Sequence, residues 1–397
     1  MSELGTPELW RDYAEALVPA GAIAEDVHQG DDPRNRMDLF LLMTSVLASN
    51  YLAAVQSDPD YPDIVPVANS ALGLGAPCPD FNYFYTAIDD RGVYRLSGRR
   101  GTNCFVNFQA GRGWWALKGP EGPGGTLGAF WLDDFSIEDD GAFEILLSAS
   151  PPADGVRNWW RIPPGTDHLF IRSCANDWIS ETDPSLAIER LDTPAARPRR
   201  SAAEIDQALR QVFTSLQRAA PNWPTRARTL IERGAVNRCA PHPAAESGNG
   251  VPEQVYYGGL FDIEEDEALV FEAKAPETAL YWSLHLNDLA WGHIDAMHRH
   301  SSLNGHQASL DGDGVFRAVL SQQDVGVRNW LDCSGYRCGS WLGRWTRASA
   351  APLPKVTRMP VGEVRSYLPP NTAMVTAAER DQIIRERRRG LQLRRRW

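Results

Sequence analysis

The sequence predicts a mainly β fold with flanking helices (α+β), made of two tandem jelly-roll or β-sandwich-like units with a helical N-terminus, a helical linker and a C-terminal helix. Three observations carry this prediction: an internal repeat of strand-like segments, turns rich in Gly and Asp between them, and helix signals outside the repeat. The predicted regions are a helical N-terminal region at 1–80, a first β unit at 81–195, a helical linker at 196–250, a second β unit at 251–350 and a C-terminal extension with a basic helix at 351–397.

The two β units are predicted from the similarity between two parts of the chain. DDGAFEILLS at 139–148 resembles GDGVFRAVLS at 312–321, and a GVRNW pentapeptide follows each segment. Further upstream, TNCFVNFQ at 102–109 aligns with TALYWSLH at 278–285. Apolar residues alternate with other residues in these segments, which predicts strands that pack on one face.

The flanking helices are predicted from their start signals. Thr-Pro at 6–7 is a cap followed by Pro in the first turn, and Asp-Pro at 32–33 repeats this signal before an apolar helix at 36–56. Capping boxes at 201–204 and 376–379 open the linker helix and the C-terminal helix.

The net charge of −11 is distributed unevenly along the chain. Residues 377–397 contain eight Arg and three acidic residues, a net of +5, so the rest of the chain carries −16. An acidic body disfavours nucleic-acid binding, which needs Lys and Arg to displace counterions from phosphate. The basic end is interpreted as a solvated helix, with contact to an acidic partner subunit as the alternative.

The N-terminal sequence and the cysteines bear on location. MSELGTPELWRDYAEAL lacks the basic start and apolar run of a signal peptide, and the six cysteines contain no CxxC pair. The uncharged stretch at 39–57 has the length of a membrane span but contains six polar residues, so a packed helix is the favoured interpretation. We therefore predict a cytoplasmic protein with reduced thiols and no membrane partner.

One segment of the second unit is unusually rich in histidine. A 22-residue window holds five of the eight histidines: His285, His293, His298, His300 and His306. Four of them lie in the connection at 286–312, whereas the equivalent connection of the first unit, at 110–139, is glycine-rich and contains none. Because connections carry function more often than scaffold strands do, this segment is the predicted site.

Three interpretations of the segment are open. In the first, His298, His300 or His306 carries protons in general acid–base catalysis, since the pKa of His lies nearest neutrality. The carboxylate partner would then be Asp295 or Asp332. In the second, the same three histidines bind a divalent metal, because GxxxxxHxH begins the cupin metal motif, although the Glu that follows there is missing. In the third, the histidines are structural residues of a polar loop.

Side chains around the segment are the predicted ligand-binding residues. They are Trp282, His285, Trp291, His293, Asn304, Arg328 and Asn329. Asn and Arg side chains suit an oxyanion or a carboxylate. However, Arg-Asn-Trp occurs in both copies, at 157–159 and 328–330, so a shared structural role is the simpler interpretation of that triplet.

Other chemistries leave weaker signals. No nucleotide cofactor is predicted, because the glycines at 111–128 match neither a phosphate loop nor a Rossmann fingerprint, and no GxSxG elbow is present. Carbohydrate binding without catalysis is an alternative function, for which Trp114, Trp115 and Trp131 would form an exposed platform.

Segments in both copies carry a family resemblance. They are YWSLHLND at 281–288, SSLNGHQASLDGDGVFRAVLSQQDVGVRNWLD at 301–332 and PVGEVRSYLP at 360–369, preceded by YRLSGRRGT at 94–102, NWWRIPPG at 158–165 and DWISETDPSLAIERL at 177–191. The later segments resemble a bacterial family catalogued as domain of unknown function 1214, and the earlier ones resemble the part that precedes this domain in longer members. The resemblance implies a β-rich fold and a bacterial origin. It implies no activity, so no catalytic residue follows from it.

These observations predict an enzyme that acts on a small, partly apolar organic molecule. The chemistry would be His/Asp general acid–base catalysis of the lyase, hydratase or hydrolase type, at the His-rich loop of the second unit or between the units. No cofactor is expected, with a divalent metal as the alternative. The predicted partner is a small-molecule substrate, with no nucleic acid and no membrane, and a homo-oligomer is an open alternative.

Overall fold

A computed structural model describes residues 4–26, 33–114, 125–153, 155–219, 222–242 and 250–394. These residues form 18 β-strands in four sheets, with helices before, between and after two β units. The predicted fold class, mainly β with two tandem sandwich-like units and flanking helices, is confirmed.

The first unit contains nine strands. They are β1 (Val65–Ala68), β2 (Phe81–Ala87), β3 (Tyr94–Arg99), β4 (Phe105–Gly111), β5 (Thr126–Trp131), β6 (Ala142–Ser148), β7 (Trp159–Arg161), β8 (His168–Cys174) and β9 (Ser185–Arg190). They form a five-stranded sheet in the order β1-β2-β8-β4-β5 and a four-stranded sheet in the order β7-β6-β3-β9. An apolar core that includes Phe108, Ile145 and Ile171 fills the space between the two sheets.

The second unit repeats this arrangement strand for strand. Its strands are β10 (Ala240–Pro241), β11 (Gln254–Asp262), β12 (Glu267–Lys274), β13 (Ala279–Asn287), β14 (Ser302–Asn304), β15 (Val315–Ser321), β16 (Trp330–Asp332), β17 (Cys338–Ala348) and β18 (Lys355–Pro360). The sheet orders are β10-β11-β17-β13-β14 and β16-β15-β12-β18. Each strand of the first unit therefore has a counterpart at the same sheet position in the second.

The helices surround these two units. They are α1 (Pro7–Glu15), α2 (Pro33–Tyr51), α3 (Ala202–Ala219), α4 (Asn222–Glu232), α5 (Val364–Tyr367) and α6 (Ala377–Leu393). Short 3-10 helices lie at Val18–Asp26, Leu132–Asp134 and Val361–Glu363, and a π-helical turn at Leu52–Gln56 continues α2.

The start signals predicted from the sequence cap three of these helices. The Thr6 hydroxyl accepts a hydrogen bond from the Leu9 amide at 3.2 Å, with Pro7 in the first turn of α1. The capping box of α6 is complete, because Thr376 and Glu379 accept from each other's backbone amides. The capping box at 201–204 likewise precedes α3. Caps of this kind satisfy amide groups that the helix itself leaves unpaired.

The helix at Pro33–Gln56 is long and apolar enough to cross a membrane, judged by length and composition alone. In the structure its packing is one-sided: Leu39 and Val46 are buried, whereas Met37 and Leu41 are 56% and 64% exposed. Only 39% of the membrane-length window is buried. The predicted helix is present, and it packs against the body of the protein along one face.

The repeated Arg-Asn-Trp triplet has a structural role in both units. The Asn329 carboxamide accepts from the Ser309 amide at 2.9 Å and donates to the carbonyls of Ser309 and Arg317 at 2.7 and 2.8 Å. Asn158 makes the equivalent bonds in the first unit, to the backbone of Ser136 and Glu144. The carboxamide of Asn329 is thus fully engaged with the backbone, and its prediction as a ligand-binding residue is wrong.

Helix α6 is anchored to both units by buried arginines spaced seven residues apart. Arg380 pairs with Asp324 of the second unit at 2.9 Å, and Arg394, just after the helix, pairs with Asp183 of the first unit at 2.6 Å. Arg387 lies between them and is also buried. Part of the predicted basic surface is therefore used inside the chain.

The five-stranded sheets of the two units pack face to face, and one cluster of buried residues spans both. Phe81 and Phe105 of the first unit contact Tyr281 of the second, with ring centroids 5.3 and 6.0 Å apart. The Tyr281 hydroxyl also donates to Asp80 at 2.5 Å. Side chains from both units therefore share one interior.

Candidate functional site

The His-rich segment follows β13 and has an exposed part and a buried part. His298 and Asp295 belong to the exposed part, with side chains 53% and 52% exposed and Nδ1 of His298 2.9 Å from Oδ1 of Asp295. An exposed pair of this kind contributes little to stability. The two residues were predicted to be catalytic, and the structure places them on the surface because the 295–298 turn faces solvent.

His300 belongs to the buried part and is 3% exposed. Its Nδ1 lies 2.5 Å from the carbonyl oxygen of Trp330. A carbonyl only accepts hydrogen bonds, so Nδ1 carries the proton and Nε2 is the acceptor nitrogen of the neutral ring. Burial, together with the positive charges of Arg387 and Arg380, lowers the pKa of His300 well below its ordinary value. His300 is therefore a neutral imidazole at neutral pH.

A cavity of about 160 Å³ lies beside His300, and three parts of the chain enclose it. The second unit contributes His300 and His306, the first unit contributes residues 177–179, and α6 contributes Ile383 and Arg387. The walls thus combine apolar side chains with imidazole, carboxylate and guanidinium groups. This mixture is typical of sites for small, partly apolar molecules.

His306 and Asp177 bring an imidazole and a carboxylate from different units to the cavity. Nε2 of His306 is 3.8 Å from Oδ2 of Asp177, and the two side chains are 56% and 25% exposed. Burial alone would raise the pKa of Asp177, but hydrogen bonds from the Ser180 hydroxyl and from backbone amides outweigh burial and lower the pKa. At the cavity, a carboxylate of the first unit, Asp177, therefore faces His306.

Arg387 is the cation enclosed deepest in this region. It donates from Nη1 to Gln307 at 2.9 Å and from Nη2 to Ser302 at 2.6 Å, and its guanidinium lies 4.7 Å from the Trp178 ring centroid. Nε has no hydrogen-bond partner, and no carboxylate in the described part of the chain forms an ion pair with Arg387. Burial lowers the pKa of Arg387 to about 10, which still leaves it cationic at neutral pH.

Arg328 also lines the cavity, as its prediction as a ligand-binding residue requires. Its backbone is held by the Ala373 carbonyl at 2.9 Å and by Arg380, which donates to the Arg328 carbonyl at 3.1 Å. The exposed side chain of Arg328 adds a second positive charge at the cavity.

Asn304 was predicted to bind ligand, but its carboxamide joins the two units instead. Nδ2 donates to Asp80 at 2.8 Å and to the Asn176 carbonyl at 2.9 Å. Oδ1 accepts from the backbone amides of His306 and Gln307, each at 3.0 Å. Both amide hydrogens are used, so Asn304 has no donor left for an oxyanion.

Asp332 was predicted as a catalytic partner, and the structure gives it a local role. It is 3% exposed, accepts from the Ser334 amide at 2.7 Å and lies 3.3 Å from Nη1 of Arg299. Burial raises the pKa of Asp332. The described cavity walls do not include Asp332, although its backbone amide donates to the carbonyl of His300 at 3.0 Å.

The tryptophans predicted to bind ligand are mostly enclosed. Trp282 packs in the core of the second unit, 4.9 Å from the Phe316 ring. Trp114 and Trp131 are each 5% exposed and Trp115 lies outside the described residues. Trp114 and Trp131 therefore form no open platform, which removes the observation expected for carbohydrate binding.

The three remaining candidates, His285, Trp291 and His293, lie away from the cavity. The indole nitrogen of Trp291 is buried without a hydrogen-bond partner among the described residues, and the buried rings of His285 and His293 lie against the backbone of Ala76 and Ser70. Burial is the main cause that lowers the pKa of both histidines. His285 and Trp291 belong to the interior between the two five-stranded sheets.

The described residues contain no group of three or more His, Cys, Asp or Glu side chains placed to hold a metal ion. His298 is at the surface and His300 is buried, so the three histidines proposed as metal ligands do not converge within these segments.

Sequence reasoning missed Asp177, Trp178 and Arg387. The first two come from the other unit, and only the folded arrangement brings them to the His-rich segment. A signal existed for the third, because Arg380, Arg387 and Arg394 recur at seven-residue spacing and therefore share one face of the basic helix.

Comparisons with known proteins indicate the fold and no activity. No protein-family model and no curated protein matches the chain. An uncharacterized protein from Burkholderia cenocepacia has a similar structure, with a TM-score of 0.83 and 27% identity over 89% of this chain and 97% of that chain. A structural-genomics target from Vibrio parahaemolyticus aligns with a TM-score of 0.46 and 12% identity over 86% of this chain and 100% of that chain.

Proposed function

We propose that the protein is an enzyme that acts on a small, partly apolar organic anion by general acid–base chemistry in the cavity beside His300. The observation that carries this proposal is the pairing of a neutral, oriented imidazole with a buried guanidinium that forms no ion pair with a carboxylate of the described residues. A carboxylate or a developing oxyanion on the substrate would supply the missing charge.

Each group has a role in this proposal. Arg387, with Arg328 beside it, would hold the anionic group of the substrate. His300 would accept a proton at Nε2, since Nδ1 is fixed on the Trp330 carbonyl. His306, near Asp177, would return a proton to the leaving or adding group. Trp178 and Ile179 would contact the apolar part of the substrate.

The reaction would belong to the lyase, hydratase or hydrolase type, because these need proton transfer without a redox or nucleotide cofactor. We also propose that the chain is a member of the domain of unknown function 1214 family and acts in the cytoplasm. The residues that support membership are the segments at 281–288, 301–332 and 360–369. Non-catalytic binding of the same class of molecule is the alternative.

The test is a screen of small unsaturated, hydroxylated and ester-bearing monocarboxylic acids, followed by NMR for consumption and for binding. His300→Gln should reduce the turnover rate by a factor of about 100 or more. His298→Gln, which changes an exposed histidine of the same segment, is the matched control and should retain it. Turnover that survives in His300→Gln would refute the assignment. Binding without turnover in the wild type would favour the non-catalytic alternative.

A further inference from the structure

A second feature lies between the five-stranded sheets, apart from the cavity. Arg344 on β17 is 3% exposed, with its guanidinium 5.3 Å from the Phe81 ring centroid and 5.6 Å from that of Tyr256. Nε and Nη1 of Arg344 have no hydrogen-bond partner, and the described residues supply no ion pair to it. A buried cation with free donors is strongly unfavourable unless something neutralises it.

The strand register places other unpartnered polar groups on the same face. Arg344 pairs with Ser283 of β13, and His285 and Asn287 follow Ser283 at alternate positions, so their side chains point to the same side. Both carboxamide atoms of Asn287 lack partners among the described residues, and the His285 ring lies against the backbone of Ala76. Trp291, whose indole N–H is also unpartnered, belongs to the same buried cluster.

In the first unit, the arginine at the equivalent position has a hydrogen-bond acceptor from the protein itself. Arg172 of β8 pairs with Tyr83 and Asn107, as Arg344 pairs with Tyr256 and Ser283. Arg172 donates to the side-chain oxygen of Gln109. The position equivalent to Gln109 in the second unit is His285, which makes no such bond.

We propose that a small monovalent anion, a halide or a carboxylate group, binds Arg344 between the two five-stranded sheets. The guanidinium supplies the charge, and its unpartnered Nε and Nη1 supply the hydrogen-bond donors. The aromatic surroundings disfavour a strongly hydrated divalent anion, whose desolvation is more costly. This site is independent of the cavity at His300.

The test measures the melting temperature of the full chain at constant ionic strength while sodium chloride, sodium acetate or sodium benzoate replaces sodium sulfate. A bound anion stabilises the native state, so the melting temperature should rise by about 2 °C for each tenfold increase in its concentration. A response to chloride would identify a halide site, and a response to acetate or benzoate alone would identify a carboxylate site.

Three variants decide whether Arg344 is responsible. Arg344→Met should lose the response, and Arg344→Lys, which keeps the charge, should retain part of it. Arg317→Met is the matched control, because Arg317 is a largely buried arginine of the same unit that Glu272, Asp311 and Asp313 already neutralise. It should keep the full response. No response in the wild type, or an equal response in Arg344→Met, would overturn the proposal.

Crystals soaked in bromide provide a second measurement that does not depend on how well the variants fold. Anomalous scattering should locate a bromide ion in contact with the Arg344 guanidinium. Bromide found only at the surface would count against a halide at Arg344 and, with no response to acetate or benzoate, would exclude the site.

Discussion

Arg172 and Arg344 occupy equivalent positions in two sheets with the same strand order, yet their surroundings differ. In the first unit the guanidinium donates to Gln109, whereas in the second unit His285 stands at that position and Arg344 keeps unpartnered donors. In the first unit, a side chain of the same sheet therefore supplies an acceptor for the buried guanidinium. In the second unit, the charge and the unpartnered donors of Arg344 are left for the proposed anion.

The same asymmetry appears in the connections after the equivalent strands β4 and β13. The connection that follows β13 carries His300 and His306 to a cavity, and the glycine-rich connection that follows β4 contains no histidine. Both differences place unsatisfied groups in the second unit. On a scaffold that the two units share, the candidate groups Arg344, His300 and His306 therefore all belong to the second unit.

The largest expected effect is a loss of stability in acid, centred on the second unit. Burial lowers the pKa values of His242, His285, His293 and His300, so these rings are neutral in the native state and take up protons near pH 6.5 once unfolded. The stability they contribute is full above pH 6.5 and is lost as pH falls toward their native pKa values. Between pH 6.5 and its native pKa, each histidine should lower the free energy of unfolding by about 1.4 kcal/mol per pH unit.

Hydrogen exchange at decreasing pH measures this asymmetry. Amides of β11, β13 and β17 should lose protection at a higher pH than amides of their counterparts β2, β4 and β8. Simultaneous loss in both units would show that the buried histidines do not distinguish them, or that the two units unfold together.

The next effect concerns a feature that the units share. Asn158→Ala and Asn329→Ala should each destabilise the protein by about 3 kcal/mol, because each removes three hydrogen bonds to buried backbone groups. Urea denaturation measures both values. A much smaller loss of unfolding free energy for Asn329→Ala would show that Asn329 and Asn158 do not have the same structural role. A role of Asn329 in ligand binding would then be possible again.

The smallest effects come from exchanging the residues that distinguish the units. Gln109→His should destabilise the protein by about 2 kcal/mol, since Arg172 loses the acceptor it has in the wild type. His285→Gln should stabilise it by about 1 kcal/mol by giving Arg344 an equivalent acceptor. Urea denaturation with the two single variants and the double variant checks these signs. Destabilisation by His285→Gln would contradict the comparison.

Much of the fold was predictable because its signals are local. The alignment of 102–109 with 278–285 corresponds to β4 and β13, and Gln109 and His285 take equivalent positions in the two sheets. The caps at Thr6 and Thr376 likewise depend on neighbouring residues. Period-two alternation and capping chemistry act over a few residues, so a single sequence displays them.

The site was predictable only in part, because its groups come from distant parts of the chain. His300 and His306, two of the predicted residues, line the cavity, whereas Asp177 comes from the first unit and Arg387 from the C-terminal helix. Asp295 is close to the histidines in sequence, but its side chain lies on an exposed turn. Contacts between units depend on how the sheets pack, which no local pattern encodes.

The proposed acid–base chemistry needs a neutral His300 ring with a free Nε2, so the protonation state of His300 is its most direct test. Nitrogen-15 NMR of histidine-labelled protein, assigned with His300→Gln, measures the tautomer and the pKa together. We expect a ring protonated at Nδ1 alone between pH 6 and 8, with a pKa below the ordinary value. A proton on Nε2, or a charged ring at neutral pH, would contradict this expectation.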